Sequence, residues 1–135
     1  MGANVNAVSL DFEYSRKEIT NAFMLQSNVI TALFGETLQT AYGVDVTKAD
    51  DESLLSYIQD QFAAGHSTSA IDYREADIVR TSVLDTIEDV LQTKDLLLSA
   101  TLMTPPFDVD VLESQPGPTE INGTPLDDYQ WGTLL

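Results

Sequence analysis

The chain reads as an α/β protein whose sheet is incomplete within its own length. Three observations carry that reading. Residues 96–100 (Leu96, Leu97, Leu98, Ser99, Ala100) form a short apolar run that the pair Pro105-Pro106 soon stops, and strands buried on both faces read as such runs whereas half-exposed strands alternate. Residues 4–10, in which Val5, Ala7 and Ser9 alternate with Asn4, Asn6 and Val8 before Leu10, pattern as a second short strand. Between the two lie three segments with helical periodicity, so the strands are joined through helices, a crossover expected to be parallel and right-handed. Two parallel strands cannot cover both faces and both edges of a sheet. Their neighbours are therefore expected to come from outside the chain.

Taken in order, the elements are justified locally. Ser15-Arg16-Lys17-Glu18 fits a capping box, in which hydroxyl and carboxylate satisfy free backbone N–H groups reciprocally. The first helix is expected to run to about Tyr42, with Gly43 as its left-handed stop. Its apolar residues Ile19, Ala22, Phe23, Val29, Ile30, Leu33 and Phe34, with Leu25 and Leu38 beside them, make a stripe wider than one face needs. That helix should be covered on more than one side. Asp50-Asp51-Glu52 places acidic groups at the start of a second helix, from Ser53 to about Ala64, with Leu54, Leu55, Ile58 and Phe62 as its stripe and Gly65 as its end. Ser69 and Asp72 give a weaker capping signal for a third helix, from Ala70 to about Gln92. Ala76, Val79, Val83, Ile87 and Val90 mark its buried face, and its carboxylates lie largely elsewhere. A loop-rich tail follows, punctuated by Pro105, Pro106, Pro116, Gly117, Pro118 and Pro125. Within it Asn122-Gly123 is the dipeptide of type I′ hairpins, flanked by residues 119–121 and 124–126. No internal repeat or domain boundary interrupts residues 1–135.

The composition, 43% hydrophobic, provides for a core. The charge balance is unusual, with 22 acidic residues against 6 basic ones and a net charge of −16. Such a chain repels phosphate backbones and anionic lipid, which disfavours nucleic-acid and membrane-surface roles. Acidic interaction tails come as blocks of like charge. Here the carboxylates are spread through the helical segments, as on a surface adapted to high salt, where self-repulsion is screened. The alternative is an ordinary acidic protein. No cysteine is present, which excludes disulfides and thiolate metal sites. The first residues lack a basic stretch followed by an apolar core, and the longest charge-free run, residues 19–35, is too polar and short to span a bilayer. The expected location is cytoplasmic.

Candidate chemistry is sparse. His66, the single histidine, is expected on a surface loop between two helices; as a general base it would need a nucleophile and an orienting acid. Arg80 falls on or near the apolar face of its helix, positioned to pair with Asp77 or with a carboxylate outside the chain, as a packed arginine rather than a substrate clamp. Ser99 and Thr101 sit at the end of the apolar run, where α/β proteins place ligands, but no Lys or His neighbours them to activate a hydroxyl. Their expected role is to satisfy backbone groups. Asp108, Asp110 and Glu113 lack the remaining ligands and the central glycine of a calcium loop. Asn122-Gly123-Thr124 matches a glycosylation sequon but reads as a turn. The expectation is that the chain itself holds no catalytic, cofactor-binding or metal-ligating residue.

One ordered set of motifs goes further. Gly2-Ala3-Asn4-Val5 precedes a strand, and Tyr73-Arg74-Glu75-Ala76 with Arg80 lies on a long helix. Asp95-Leu96-Leu97-Leu98-Ser99-Ala100-Thr101 then runs into Pro105-Pro106-Phe107. This order resembles the C-terminal part of amidase signature enzymes, in which a long helix carries an R after a Y-x-x-A and a D-x-L-L-x-P-T strand follows. The turn at Asn122-Gly123 and the placement of Trp131, shortly before the family's N-x-t-G-x-P-A segment, extend the likeness. It covers nearly all of this chain and a minority of a complete family member. Ala100 stands where the family usually has proline, a departure that removes a rigid exit from the strand.

The resemblance implies a fragment of the amidase signature fold, truncated at both ends: strand, three helices, buried strand and loop-rich tail. It implies a parent enzyme that hydrolyses amide C–N bonds of a small molecule with a serine nucleophile, a second serine in a cis peptide and a lysine base, without cofactor, and as a homodimer. Those residues lie in a Gly/Ser-rich segment upstream of the matching region. Lys17, Lys48 and Lys94 have no Ser-Ser-Gly context, so no catalytic residue carries over. The expected partner is the remainder of the amidase core. The other reading is non-catalytic: a helical interaction module, or a subunit completing a separately encoded amidase or amidotransferase.

Overall fold

The computed structural model describes residues 2–48, 56–100, 104–106 and 117–126. Its first element is α1 (Arg16–Tyr42), and both ends are closed as the local sequence requires. The Ser15 N–H donates to Glu18 Oε2 at 2.8 Å while the Glu18 N–H donates to Ser15 Oγ at 3.3 Å. Two of the donors that a helix start leaves unpaired are thus satisfied. At the other end Gly43 adopts φ 69° and ψ 17°, and its N–H donates to the Gln39 carbonyl at 3.0 Å. A side chain would strain that left-handed residue. A 3-10 turn, Val46–Lys48, follows.

Helix α2 (Ser56–Ser67) and helix α3 (Ala70–Leu91) complete the helical part. The Ser69 cap on α3 is a full capping box: Ser69 N–H donates to Asp72 Oδ2 at 3.2 Å, and Asp72 N–H to Ser69 Oγ at 3.1 Å. The expected start of α2 at Ser53, with Leu54, Leu55 and the acidic cluster 50–52, lies outside the described residues. Its end differs from expectation. Gly65 continues the helix, which closes two residues later at Ser67.

The physical reason is the contact between α1 and α2. Helix α1 lies against both α2 and α3, and glycines mark its crossing with α2. A Cβ placed on Gly65 would collide with the Asn28 carbonyl oxygen and come within 2.7 Å of the Ala32 Cβ. A Cβ on Gly35 would enter the ring of the buried Phe62. The two glycines thus let the helix backbones approach closely. Around them the core, among the described residues, consists of Ile19, Ala22, Ala32, Phe62 and Ala76 with the buried Thr20.

Helix α3 has the expected phase but only partial cover. Ala76 is buried, whereas Val79, Val83, Ile87 and Val90 are half-buried. On α1 the wide stripe divides. Ile19, Ala22 and Ala32 face the core, while Phe23, Ile30, Leu33 and Phe34 remain 60%, 63%, 58% and 60% exposed. The segment preceding α1 is tied to α3 by the Ser82 hydroxyl, which donates to Glu13 Oε2 at 3.0 Å.

The expected parallel pair of strands does not form. Residues 4–10 and 96–100 carry no strand, and Leu96 and Leu98 are 70% and 79% exposed. A strand exists only through its hydrogen-bonded neighbours, and no neighbour is present for either segment among the described residues. The sheet that does form is the hairpin of the tail, β1 (Glu120–Ile121) and β2 (Thr124–Pro125), antiparallel with Glu120 opposite Pro125 and Ile121 opposite Thr124. Asn122 and Gly123 have φ of 52° and 77°. Positive φ at both central residues is what a type I′ turn requires. The chain is thus mostly helical with a small two-stranded antiparallel sheet, and the larger sheet of the α/β reading is absent from the described residues.

The glycine crossing yields a test. Alanine at position 65 gains about 1 kcal/mol of helix propensity, but overpacking a filled interface costs about 1–3 kcal/mol, occasionally more. Because the obstructing atom belongs to the α1 backbone, the upper part of that range applies. Gly65→Ala is expected to lower the urea midpoint at unchanged slope; a raised midpoint contradicts the close crossing.

Candidate functional site

A concave surface with a polar lining lies where α1, the 3-10 turn and α2 meet. It is a shallow cavity of about 280 Å³ lined by Glu36, Asp45, Thr47, Phe62 and His66, among others. His66 occupies the last turn of α2 rather than a loop, because the helix runs past Gly65. Its Nδ1 is 3.7 Å from Glu36 Oε1 on α1, and both side chains are exposed. That separation is too long for a hydrogen bond, so Glu36 does not orient the ring as the acid of a catalytic pair would.

Asp45, the other charged residue lining this cavity, is paired with its neighbours in sequence. Lys48 Nζ is 2.7 Å from Asp45 Oδ2, and Thr47 donates to Asp45 Oδ1 through its hydroxyl at 2.6 Å and its N–H at 3.1 Å. The Lys48 ammonium and the Thr47 hydroxyl hold the Asp45 carboxyl down at about 2, and Asp45 in turn raises the lysine. A lysine raised in this way is protonated at neutral pH and unsuited to act as a base. Neither a Ser–Lys nor a Ser–His pair lines the cavity.

Arg80 is paired within its own helix. Its Nη2 donates to Asp77 Oδ1 at 2.6 Å, while Arg74 Nη1 donates to Asp77 Oδ2 at 2.5 Å. Asp77 is therefore clasped from the turns before and after it. Arg80 also edges an apolar groove between α1 and α3, formed by Ile19, Ala22, Phe23, Val79 and Val83. The groove was not foreseen, because each of its walls reads as ordinary helix stripe when taken alone.

Ser99 is exposed on the extended segment, and no basic group accompanies it in sequence. Thr101, Asp108, Asp110, Glu113 and Trp131 lie outside the described residues. Among the described residues no three His, Cys, Asp or Glu side chains gather as a metal-ligand set, and no helix is long and apolar enough to cross a membrane.

Comparison with known proteins separates sequence from shape. No family model and no curated protein sequence matches the chain. Among solved structures it is similar to a bacterial aryl acylamidase belonging to the amidase signature enzymes, with a TM-score of 0.80 and 26% identity. The match takes in 97% of this chain and 27% of that one. The chain thus spans about a quarter of the length of the structure it matches. Its fold is that of a segment of an amidase signature enzyme.

The Asp45–Lys48 pair supplies a pH test. Asp45 is held below its ordinary value of 3.8, so the pairing is fully present above that value and is lost as pH falls through about 2. Lys48→Met is expected to return the Asp45 titration toward 3.8, read by carboxyl carbon NMR. An unmoved midpoint contradicts the assignment.

Proposed function

We propose that this chain is the C-terminal part of an acidic, salt-adapted amidase signature hydrolase, contributing packing helices, a core strand and a wall of the substrate cleft. The observation that carries the reading is the match of nearly the whole chain to about a quarter of an aryl acylamidase. The order of the sequence motifs, ending in Asp95–Thr101 and Pro105-Pro106, points the same way. In the proposed enzyme a serine attacks the amide carbon of a small molecule. The lysine, acting through the bridging serine, accepts the nucleophile's proton and passes it to the leaving amine. Water then releases the acyl group. None of those groups is contributed by this chain, which supplies structure around them.

A second form of the reading has the chain as a separately encoded subunit completing such a core. It is supported by the capping of α1 and α3 and by the packing of α2 and α3 on α1.

Two outcomes are expected. The isolated chain should show no hydrolysis of aryl or aliphatic amides, and serine-dependent turnover by it alone would refute the proposal. Its helicity by circular dichroism should rise between low salt and molar KCl, as screening relieves the repulsion of a net charge of −16. A flat series contradicts the salt-adapted surface.

A further inference from the structure

The face of α1 that carries Phe23, Ile30 and Phe34, with Leu33 beside it, is 58–63% exposed. The spacing of seven and four residues places the first three on one side of the helix. We propose that this face is a docking surface, and that its occupant is the sheet-bearing remainder of an amidase signature fold. The proposal rests on the functional reading above and assigns the surface through which that reading is realised.

The first argument is charge. The chain has 22 acidic residues, yet residues 19–35, nearly five turns of α1, carry no charged side chain on any side. Helix α3 shows what an outward face looks like in this protein, with Asp72, Glu75, Asp85, Glu88 and Asp89 exposed along it. A side of α1 meant for solvent would carry such groups. The centres of protein interfaces are depleted of charge and enriched in aromatic side chains, and exposed contiguous apolar surface of this kind marks an interaction site.

The second argument chooses the occupant. The aryl acylamidase chain continues for nearly three quarters of its length beyond the part this chain matches. The segments at 4–10 and 96–100 also leave Val5, Val8, Leu96 and Leu98 exposed without strand partners. An occupant bearing a sheet meets both needs: side chains against the α1 face, and backbone groups against the two extended segments.

The test grafts the whole chain in place of the matched quarter of the aryl acylamidase. Carbene footprinting of Phe23, Ile30 and Phe34 is compared between the isolated full chain and the graft. Labelling is expected to be strong in the isolated chain and at least tenfold lower in the graft. The triple variant Phe23→Gln, Ile30→Gln, Phe34→Gln is expected to keep the helicity of the isolated chain and to abolish cooperative melting of the graft. Protection already present in the isolated chain, through a second copy or through its own residues 127–135, overturns the proposal. So does a graft in which the face stays labelled, or one that the triple variant leaves unchanged. Amide hydrolysis is read separately. An active graft with the face still labelled removes the docking surface and keeps the amidase reading. A protected but inactive graft keeps the surface and removes the reading.

Discussion

The close approach of α1 to α2 is the constraint on which the remaining structure depends. Gly35 admits the Phe62 ring and Gly65 admits the Asn28 carbonyl and Ala32, so two backbones meet where side chains would hold them apart. That contact draws α2 across α1, extends α2 through His66 and sets the cavity where Glu36 and His66 face each other. With α3 held by Ile19, Ala22 and Ala76, one side of α1 is closed. Phe23, Ile30, Leu33 and Phe34 are left apolar and exposed. A helix with such a side is ordinarily central rather than peripheral, and among the described residues the buried apolar core is three alanines, one isoleucine and one phenylalanine.

What was legible in the sequence follows from how local each interaction is. Both capping boxes, the Gly43 stop and the Asn122-Gly123 turn are contacts between residues at most a few positions apart, and residue identity nearly determines them. The phase of the α3 stripe was legible for the same reason. Gly65 was not: a glycine near a helix end reads as a stop, and only the neighbouring helix shows that it is a close contact. The displacement of His66 from loop to helix is the same error carried one residue further. Residues 96–100 are the instructive case. Their composition is that of a buried strand, yet they are exposed and unpaired here. A strand's pattern is written in its own residues, whereas its existence is written in its neighbours'.

The candidate site repeats that lesson in chemical terms. Arg80, His66 and Lys48 were each visible as residues, and the structure commits two of them to ordinary ion pairs. The third, His66, lies 3.7 Å from the Glu36 carboxylate, too far for a hydrogen bond to orient it. Catalysis by acyl transfer needs a nucleophile, its base and an oxyanion site in one place. The chain matches 97% of its own length to 27% of an aryl acylamidase, and the proposed division is that it shapes such a site rather than supplies it. Its acidity is consistent with that division. Carboxylates cover α3, while the helix that would meet the catalytic portion is kept free of charge through residues 19–35.

Residues 96–100 carry no strand in this chain, and we propose that they pair with strands from another part of an amidase fold. Amide hydrogen exchange measures it directly, because protection reports hydrogen-bonded backbone. In the isolated chain these amides are expected to exchange nearly as fast as an unstructured peptide, while those in the middle of α1 are slowed. In the graft onto the aryl acylamidase, residues 96–100 should be slowed by about a hundredfold or more. Protection in the isolated chain, or rapid exchange in a folded graft, would contradict it.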